Sequence, residues 1–196
     1  MTRQTLSRCA PSLTLRALTI AATICTAAPS ATAADDQALH LSRVRSENPS
    51  IGAVVRDATM RSVTFRQLVD TIDGTDGLVY IEQGKCGHGV RACLLMSVKI
   101  AGPSRMLRVI IGDSRPNCRM MASIGHELRH AVEVLSDPHI RSDSAIFSSY
   151  ERLGRATDSS RFETEAAMHA GLDVDTECGR SEALTGPVVA QSAIAR

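Results

Sequence analysis

Aromatic side chains are almost absent from this sequence, which has no Trp, two Tyr and three Phe among 196 residues. Large rings are therefore not available to fill an interior. Hydrophobic residues nevertheless make up 43% of the chain, so a core has to be built mainly from aliphatic side chains. A chain of this length is sufficient for one globular domain with such a core.

An excess of charge of either sign is also missing. The chain has 22 Lys and Arg residues against 21 Asp and Glu residues, a formal net charge of +1 at pH 7. Proteins that bind nucleic acids concentrate positive charge on one face or in one segment, whereas the basic residues here are scattered along the sequence. We therefore expect no nucleic-acid partner.

Beyond its amino terminus the sequence lacks an apolar run of about 20 residues, the length that a membrane span requires. Residues 1–33 are typical of a signal peptide, because three Arg residues precede a short apolar run at 17–28 and a small-x-small cleavage site ends at Ala33. We predict an exported protein, secreted or periplasmic, without a membrane span in the mature chain. Its single domain is expected at 34–180, followed by a disordered tail at 181–196.

Cysteine usage agrees with export. Two of the six cysteines lie in the predicted signal peptide, and four remain: Cys86, Cys93, Cys118 and Cys178. An even number of cysteines in an exported chain indicates disulfide bonds. Three pairings are possible, of which the local choice joins Cys86 to Cys93 and leaves Cys118 with Cys178. A zinc site formed by Cys86 and Cys93 is disfavoured, because their spacing is not that of a CxxC motif.

The segment 118–136 is predicted to be an amphipathic helix with the chemistry of a metal site. Apolar residues recur in it at helical spacing, at Ile124, Leu128, Ala131, Val132 and Leu135. His126 and His130 are four residues apart, so both imidazoles lie on one face and can bind one metal ion. Glu127 lies beside them, where a carboxylate can remove a proton from a water molecule.

The sequence His126-Glu127-Leu128-Arg129-His130 resembles the HExxH signature of the zincin metallopeptidases. The resemblance implies Zn2+ as the cofactor, a water nucleophile, and hydrolysis of a peptide bond in a peptide or protein substrate. The metzincin branch also requires Gly at position 133 and His at position 136, but this chain has Glu133 and Ser136. A catalytic zinc site has three protein ligands, so a third ligand must come from another segment.

The downstream segment 161–171 resembles the glutamate helix of the gluzincin branch, in which a Glu completes a His-His-Glu site. Aligned with the pattern Glu-x-x-Ala-Asp of that branch, Glu163 is the third ligand and is preferred over Glu165. Ala167 stands where the pattern has Asp, a residue that would orient a ligand histidine. Glu133, on the first helix, is expected to support a histidine rather than to bind the metal.

The elements around these motifs predict an α+β fold, a small zincin-like domain with an active-site helix and a glutamate helix. Asn48-Pro49 interrupts a polar amino-terminal segment, and a helix is predicted at 62–72. Three strand-like runs follow at 78–82, 93–100 and 106–111. The simplest arrangement is a three-stranded antiparallel sheet. By analogy with zincins, the run at 107–111 is a candidate for the sheet edge to which an extended substrate adds, and the alternative is a fully paired interior strand.

The predicted function is therefore that of an exported zinc metallopeptidase. His126, His130 and Glu163 hold Zn2+, Glu127 acts as general base, and Tyr150 is a further candidate as hydrogen-bond donor to an oxyanion. The alternative is a non-catalytic zinc-binding module with a degenerate peptidase site. A di-iron carboxylate protein is disfavoured, because that class requires a second ExxH motif. The sequence indicates no particular oligomeric state.

Overall fold

A computed structural model describes residues 42–87, 89–112, 115–153, 155–158 and 161–185. In chain order its elements are β1 Val44–Arg45, α1 Pro49–Arg61, α2 Val63–Asp73, β2 Gly77–Gln83, β3 Ala92–Leu94, β4 Lys99–Ala101, β5 Ser104–Ile111, α3 Cys118–Leu135, α4 Asp143–Leu153, β6 Arg155–Asp158, β7 Arg161–Glu163 and α5 Glu165–Thr185. The predicted signal peptide lies outside the described residues. Of the predicted tail, residues 181–185 belong to helix α5 and the rest lies outside the described part.

The main sheet has five strands and is mixed. Its order is β1-β2-β5-β3, and β4 also pairs with β5. β1 is parallel to β2 and β2 is parallel to β5, whereas β3 and β4 are antiparallel to β5. The prediction of a three-stranded antiparallel sheet is therefore wrong. The predicted strand at 93–100 is in fact two short strands, β3 and β4, which pair with different parts of β5.

Strand β5 lies inside the sheet, so the prediction that 107–111 forms the edge is also wrong. The reason is the composition of this strand: Leu107, Val109 and Ile111 are almost completely inaccessible and Ile110 is 8% exposed. Leu107, Val109 and Ile111 share one face, and the other face has the partly buried Met106 and the buried Ile110 beside the exposed Arg108. A strand with buried apolar residues on both faces is most stable where neighbouring strands and helices cover it. β3 forms the edge on the side of the candidate site.

Helix α1 begins at the Asn48-Pro49 pair that was predicted to interrupt the chain. The Asn48 side chain accepts a hydrogen bond from the backbone N–H of Ser50 at 3.0 Å, and Pro49 occupies the first turn, where a missing N–H has no cost. Downstream apolar residues at helical spacing are buried, namely Ile51, Val54, Val55 and Ala58. The pair therefore starts a helix.

Helices α3 and α5 pack closely against each other because glycines lie at their contact. A Cβ atom on Gly125 would be 2.8 Å from Cγ2 of Val174, and one on Gly171 would be 3.3 Å from Cβ of His126. Any larger side chain at either position would push the helices apart. This close approach brings the chain around the start of α5 next to the HExxH segment of α3.

The described cysteines form two disulfides, Cys86–Cys93 and Cys118–Cys178. This is the pairing that follows from the local choice in the sequence. The first closes the loop between β2 and β3, and the second joins the first residue of α3 to α5. Within the described residues, no helix has the length and apolar character needed to cross a membrane.

A buried arginine fixes the carboxyl end of α3 to the sheet. Arg105, on β5, is 1% exposed and its guanidinium pairs with Asp76 at 2.6 Å. The guanidinium also donates to four backbone carbonyl oxygens at and after the helix end, those of Val134, Leu135, Asp137 and Ile140. The carbonyls of Val134 and Leu135 are among the groups that a helix end leaves without an intrahelical partner, and those of Asp137 and Ile140 lie in the turn that follows. Arg105 therefore links the carboxyl end of α3 to strand β5.

Candidate metal centre

Helix α3 places two histidines one turn apart at the border of the core. It begins at Asn117, whose side chain accepts a hydrogen bond from the N–H of Met120 at 2.8 Å. Its buried face includes Ile124, Leu128 and Ala131. The ring centroids of His126 and His130 are 4.9 Å apart, and their side chains are 20% and 6% exposed.

The structure brings Glu163 to the same two histidines. Its Oε2 lies 3.1 Å from Nε2 of His126 and 3.8 Å from Nε2 of His130. The three side chains offer donor atoms that are all within 4.8 Å of one another. Glu163 is the last residue of strand β7, so the predicted glutamate helix begins two residues later, at Glu165. Glu165 is exposed and does not belong to this cluster.

The carboxylate of Glu163 fits a metal ligand. Its Oε2 is buried and makes no hydrogen bond among the described residues, although Nε2 of His126 lies 3.1 Å away. A buried carboxylate oxygen without a partner is costly unless a cation reaches it. The neighbouring His126 and His130 lower the pKa of Glu163 to about 2, so the group is ionised at neutral pH. Two imidazoles and one carboxylate match the donor set of catalytic zinc sites.

Glu127 is buried beside the cluster and is held by the sheet edge. It is 7% exposed, and its Oε2 accepts the backbone N–H of Leu94, on strand β3, at 2.7 Å. Burial raises the pKa of Glu127, against the opposing effect of the nearby His130 and His126. The sequence contains no sign of this contact, because the donor is a backbone group that every residue except proline has.

A second carboxylate, that of Glu133, contacts the far side of the His130 ring. Its Oε2 lies 3.1 Å from Nδ1 of His130, and its Oε1 accepts a hydrogen bond from Oγ1 of Thr164 at 2.8 Å. Burial lowers the pKa of His130, but contacts with Glu133 and Glu163 outweigh it and raise that pKa to about 9. Glu133 and Glu163 therefore favour positive charge on or next to the His130 ring. Burial raises the pKa of Glu133, yet its bonds to His130 and Thr164 give a net lowering.

Thr164 was not identified as a site residue, although its position contains a signal. Its Oγ1 accepts the backbone N–H of Ala167 at 3.1 Å, which is the geometry of a helix N-cap. A Thr directly before a run of good helix formers, here Glu165, Ala166 and Ala167, is a recognisable helix start. The same hydroxyl donates to Glu133, so the beginning of α5 is attached to α3 at the candidate site.

Tyr150 lies against His130, and its hydroxyl is hydrogen bonded to the backbone of the helix rather than directed at the proposed metal position. Its hydroxyl donates to the backbone carbonyl of His130 at 3.1 Å, and the two rings meet edge to face at 5.5 Å. Burial raises the pKa of Tyr150, so the hydroxyl stays a neutral donor. This arrangement fixes the helix carbonyl, whereas the predicted role as oxyanion donor would require the hydroxyl to leave that carbonyl.

A second group of metal-donor residue types is formed by Cys118, Cys178 and Glu182. The two sulfur atoms are joined in a disulfide, so neither is a thiolate ligand. Glu182 pairs with Arg61 at 2.8 Å. Among the described residues, the histidine cluster is therefore the site whose donors are available to a metal ion.

A cavity of about 230 Å³ adjoins the histidine cluster. Glu127, His130 and Glu163 form its polar end, and its other walls are mainly apolar, formed by Leu94, Leu95, Met96, Tyr150 and Phe162 among others. On the other side of the cluster an open groove extends along α3 and α5 past Met168 and Leu172, which are 45% and 65% exposed. The metal-donor side chains thus lie between a half-open cavity and an open groove.

Comparison with known proteins gives no family for this chain: no family model matches it, and neither the curated proteins nor the solved structures contain a match. The functional argument therefore depends on the geometry of the cluster itself.

Proposed function

We propose that this protein is an exported, zincin-like zinc peptidase, secreted or periplasmic, in which His126, His130 and Glu163 bind Zn2+ and Glu127 is the general base. The observation that carries the proposal is the convergence of three metal-donor side chains within 4.8 Å, beside a carboxylate that is only 7% exposed. Three protein ligands leave a fourth coordination position for water or substrate. The predicted signal peptide and the two disulfides support export.

Glu127 performs the proton transfers in the proposed mechanism. Bound zinc would lower the pKa of a water molecule to about 7 and polarise the substrate carbonyl. Burial raises the pKa of Glu127, so its carboxylate can accept and keep the proton of the attacking water. It then gives that proton to the amine nitrogen as the C–N bond breaks. The N–H of Leu94 holds Oε2, which leaves Oε1 as the oxygen that transfers the proton.

The sheet edge next to Glu127 favours an extended peptide as substrate. Backbone groups of Arg91 and Leu95 are hydrogen bonded to β5 and the residue after it. Because backbone groups in an antiparallel strand alternate in direction, those of Ala92 and Leu94 point away from the sheet. Leu94 uses its N–H to hold Glu127, and the remaining groups can pair with a substrate strand added at this edge. The scissile bond would then lie over the histidines.

The cavity beside the histidine cluster supports an uncharged side chain next to the scissile bond. Its aliphatic and aromatic walls exclude water from an apolar side chain, and its charged groups are confined to the metal-binding end. The volume of about 230 Å³ is large enough for a leucine or phenylalanine side chain. We therefore expect cleavage beside residues of that type and poor cleavage beside Asp, Glu, Lys or Arg, because burying a charge without a partner is costly.

The test uses the protein purified after export, first for zinc content by elemental mass spectrometry and then for cleavage of an unbiased peptide library followed by mass spectrometry. One zinc per chain and cleavage next to apolar residues are expected. Glu127→Gln should keep the zinc and lose turnover. Glu163→Gln should lose zinc, whereas its matched control Glu165→Gln, two residues further along the chain, should behave as wild type.

The outcomes separate the two functions that the sequence predicts. Zinc binding without cleavage of any library peptide would favour the non-catalytic zinc-binding module. Wild-type turnover by Glu127→Gln would contradict the mechanism, since Glu127 is the only fully buried carboxylate among the described residues. Absence of zinc after remetallation would refute the whole proposal.

A further inference from the structure

Glu133 connects two of the proposed zinc ligands, although it does not point into the cluster itself. We propose that Glu133 is a positioning residue that sets both the orientation of His130 and its separation from Glu163. This inference rests on the proposed zinc site. In the Glu-x-x-Ala-Asp pattern, the Asp is the residue that would orient a ligand histidine. This chain has Ala167 at that position, with a fully buried methyl group, and we assign the orienting role to Glu133 on the HExxH helix instead.

The first half of the argument concerns the ring of His130. An ionised carboxylate only accepts hydrogen bonds, so Nδ1 of His130, 3.1 Å from Oε2 of Glu133, must carry a proton. When a metal ion takes the place of the second ring proton, the imidazole is protonated on Nδ1 alone and its lone pair is on Nε2. Nε2 is the atom that faces Oε2 of Glu163, at 3.8 Å. The contact with Glu133 therefore selects the tautomer that presents a lone pair to the metal position.

The second half concerns the distance between the ligands. The other oxygen of Glu133 accepts the hydroxyl of Thr164 at 2.8 Å, and Thr164 follows the ligand Glu163 directly in the chain. The same hydroxyl receives the N–H of Ala167 and so fixes the first turn of α5. One carboxylate thus joins a ligand on α3 to the residue next to a ligand at the end of β7.

The environment of Glu133 makes this connection rigid. Its side chain is 14% exposed, and Nε of Arg129 lies 3.5 Å from Oε1 as a further positive neighbour. His130 is 6% exposed on its side chain. Hydrogen bonds to a charged group at such positions are stronger than exposed ones, because water competes with them less. Removal of Glu133 would leave the ring and the Thr164 hydroxyl without their partner.

The test compares zinc affinity and the His130 ring proton in the full exported protein. Loss of a group that orients a metal ligand typically weakens metal binding by about 10- to 100-fold, and we expect a zinc dissociation constant raised by about that factor in Glu133→Ala, measured by competition with a chromophoric chelator. In 15N-edited NMR spectra of the zinc-loaded protein, the Nδ1–H proton of His130 should be visible in wild type and lost to solvent exchange in the variant. Glu165→Ala, which removes an exposed acid nearby, should change neither.

A second pair of variants tests the link through Thr164 and guards against misfolding of Glu133→Ala. Thr164→Val should weaken zinc binding in the same direction, and Thr164→Ser, which restores the hydroxyl, should recover it. If wild type binds zinc and Glu133→Ala binds it with the same affinity and keeps the Nδ1–H signal, the positioning role is refuted while the zinc site stands. If wild type binds no zinc, the proposed function fails first and this inference fails with it.

Discussion

Replacement of Arg105 by Met should destabilise the protein more than any exposed arginine on the same strand. The side chain is 1% exposed, and its removal takes the donor from the backbone carbonyls of Val134, Leu135 and Ile140. The carbonyl of Asp137 loses the guanidinium but keeps the N–H of Ile140 at 3.2 Å. Asp76 loses its buried partner but keeps Arg141, whose Nη1 lies 3.4 Å from Oδ2, and at 35% exposure its carboxylate can be rehydrated. The Met side chain fills most of the space, so the loss is chiefly one of hydrogen bonds.

The size of the effect follows from these contacts. Breaking a buried ion pair by removing one partner costs about 3–5 kcal/mol. The partial exposure of Asp76 reduces its share, whereas the orphaned carbonyls add to the cost, so we expect a loss of about 4 kcal/mol in the free energy of unfolding. With a urea m-value of roughly 2 kcal/mol/M, the unfolding midpoint should fall by about 2 M.

The assay is urea unfolding followed by circular dichroism, with both disulfides intact. Arg108→Met is the matched control, because Arg108 lies three residues along the same strand and pairs with Glu82, but the two side chains are 49% and 40% exposed. We expect no measurable midpoint shift for that variant. Equal shifts for the two variants would refute the argument that burial and the carbonyl contacts decide the cost.

Two further predictions concern packing and pH. Gly125→Ala should destabilise the protein, because the new Cβ would meet Val174 and overpacking costs about 1–3 kcal/mol, more than the gain of about 1 kcal/mol in helix propensity. Urea unfolding of Gly125→Ala, Val174→Ala and the double variant measures the coupling between the two positions. A favourable coupling energy would support this explanation, and additive effects would contradict it. Arg105 lowers the pKa of Asp76, so the ion pair stabilises the fold at pH values above the unfolded-state pKa of about 3.9. That stability is lost as the pH falls through the lower folded-state pKa. The difference in urea midpoint between wild type and Arg105→Met should therefore shrink below about pH 4, and a constant difference would show that the ion pair is not its source.

Local features of the candidate site could be predicted from the sequence. Two histidines four residues apart in an amphipathic segment define one helix face, because that relation depends only on the helical repeat. The nearness of Glu163 depends in addition on the packing of distant segments, which a short resemblance to a known motif can only suggest. The resemblance to the zincin family itself stays a prediction.

The sheet could not be derived in the same way. An apolar run such as 106–111 indicates a strand, but its side chains are compatible with parallel or antiparallel neighbours and with a central or an edge position. Here the chain leaves β2, forms β3 at the far edge, and returns to place β5 between them. That order depends on contacts between residues far apart in the sequence. The hydrogen bond from Leu94 to Glu127 follows from this order and could not be found without it.

The start of α1 shows the opposite case, in which the information was local but ambiguous. A pair such as Asn48-Pro49 is found both where helices begin and where chains turn. The residues that decide between these outcomes come afterwards, where Ile51, Val54, Val55 and Ala58 share one helical face. A helix start can therefore be assigned only together with the apolar pattern that follows it.

The disulfide between Cys118 and Cys178 affects how the site residues come together again after the chain unfolds. It closes a covalent ring with a sequence separation of 60 residues, and the proposed general base and all three proposed zinc ligands lie inside that ring. Closing such a loop restricts the unfolded chain by about 4 kcal/mol in the chain-entropy treatment. A molecule that unfolds transiently would therefore keep the four proposed site residues within one closed loop, and fewer unfolded conformations would separate them on refolding.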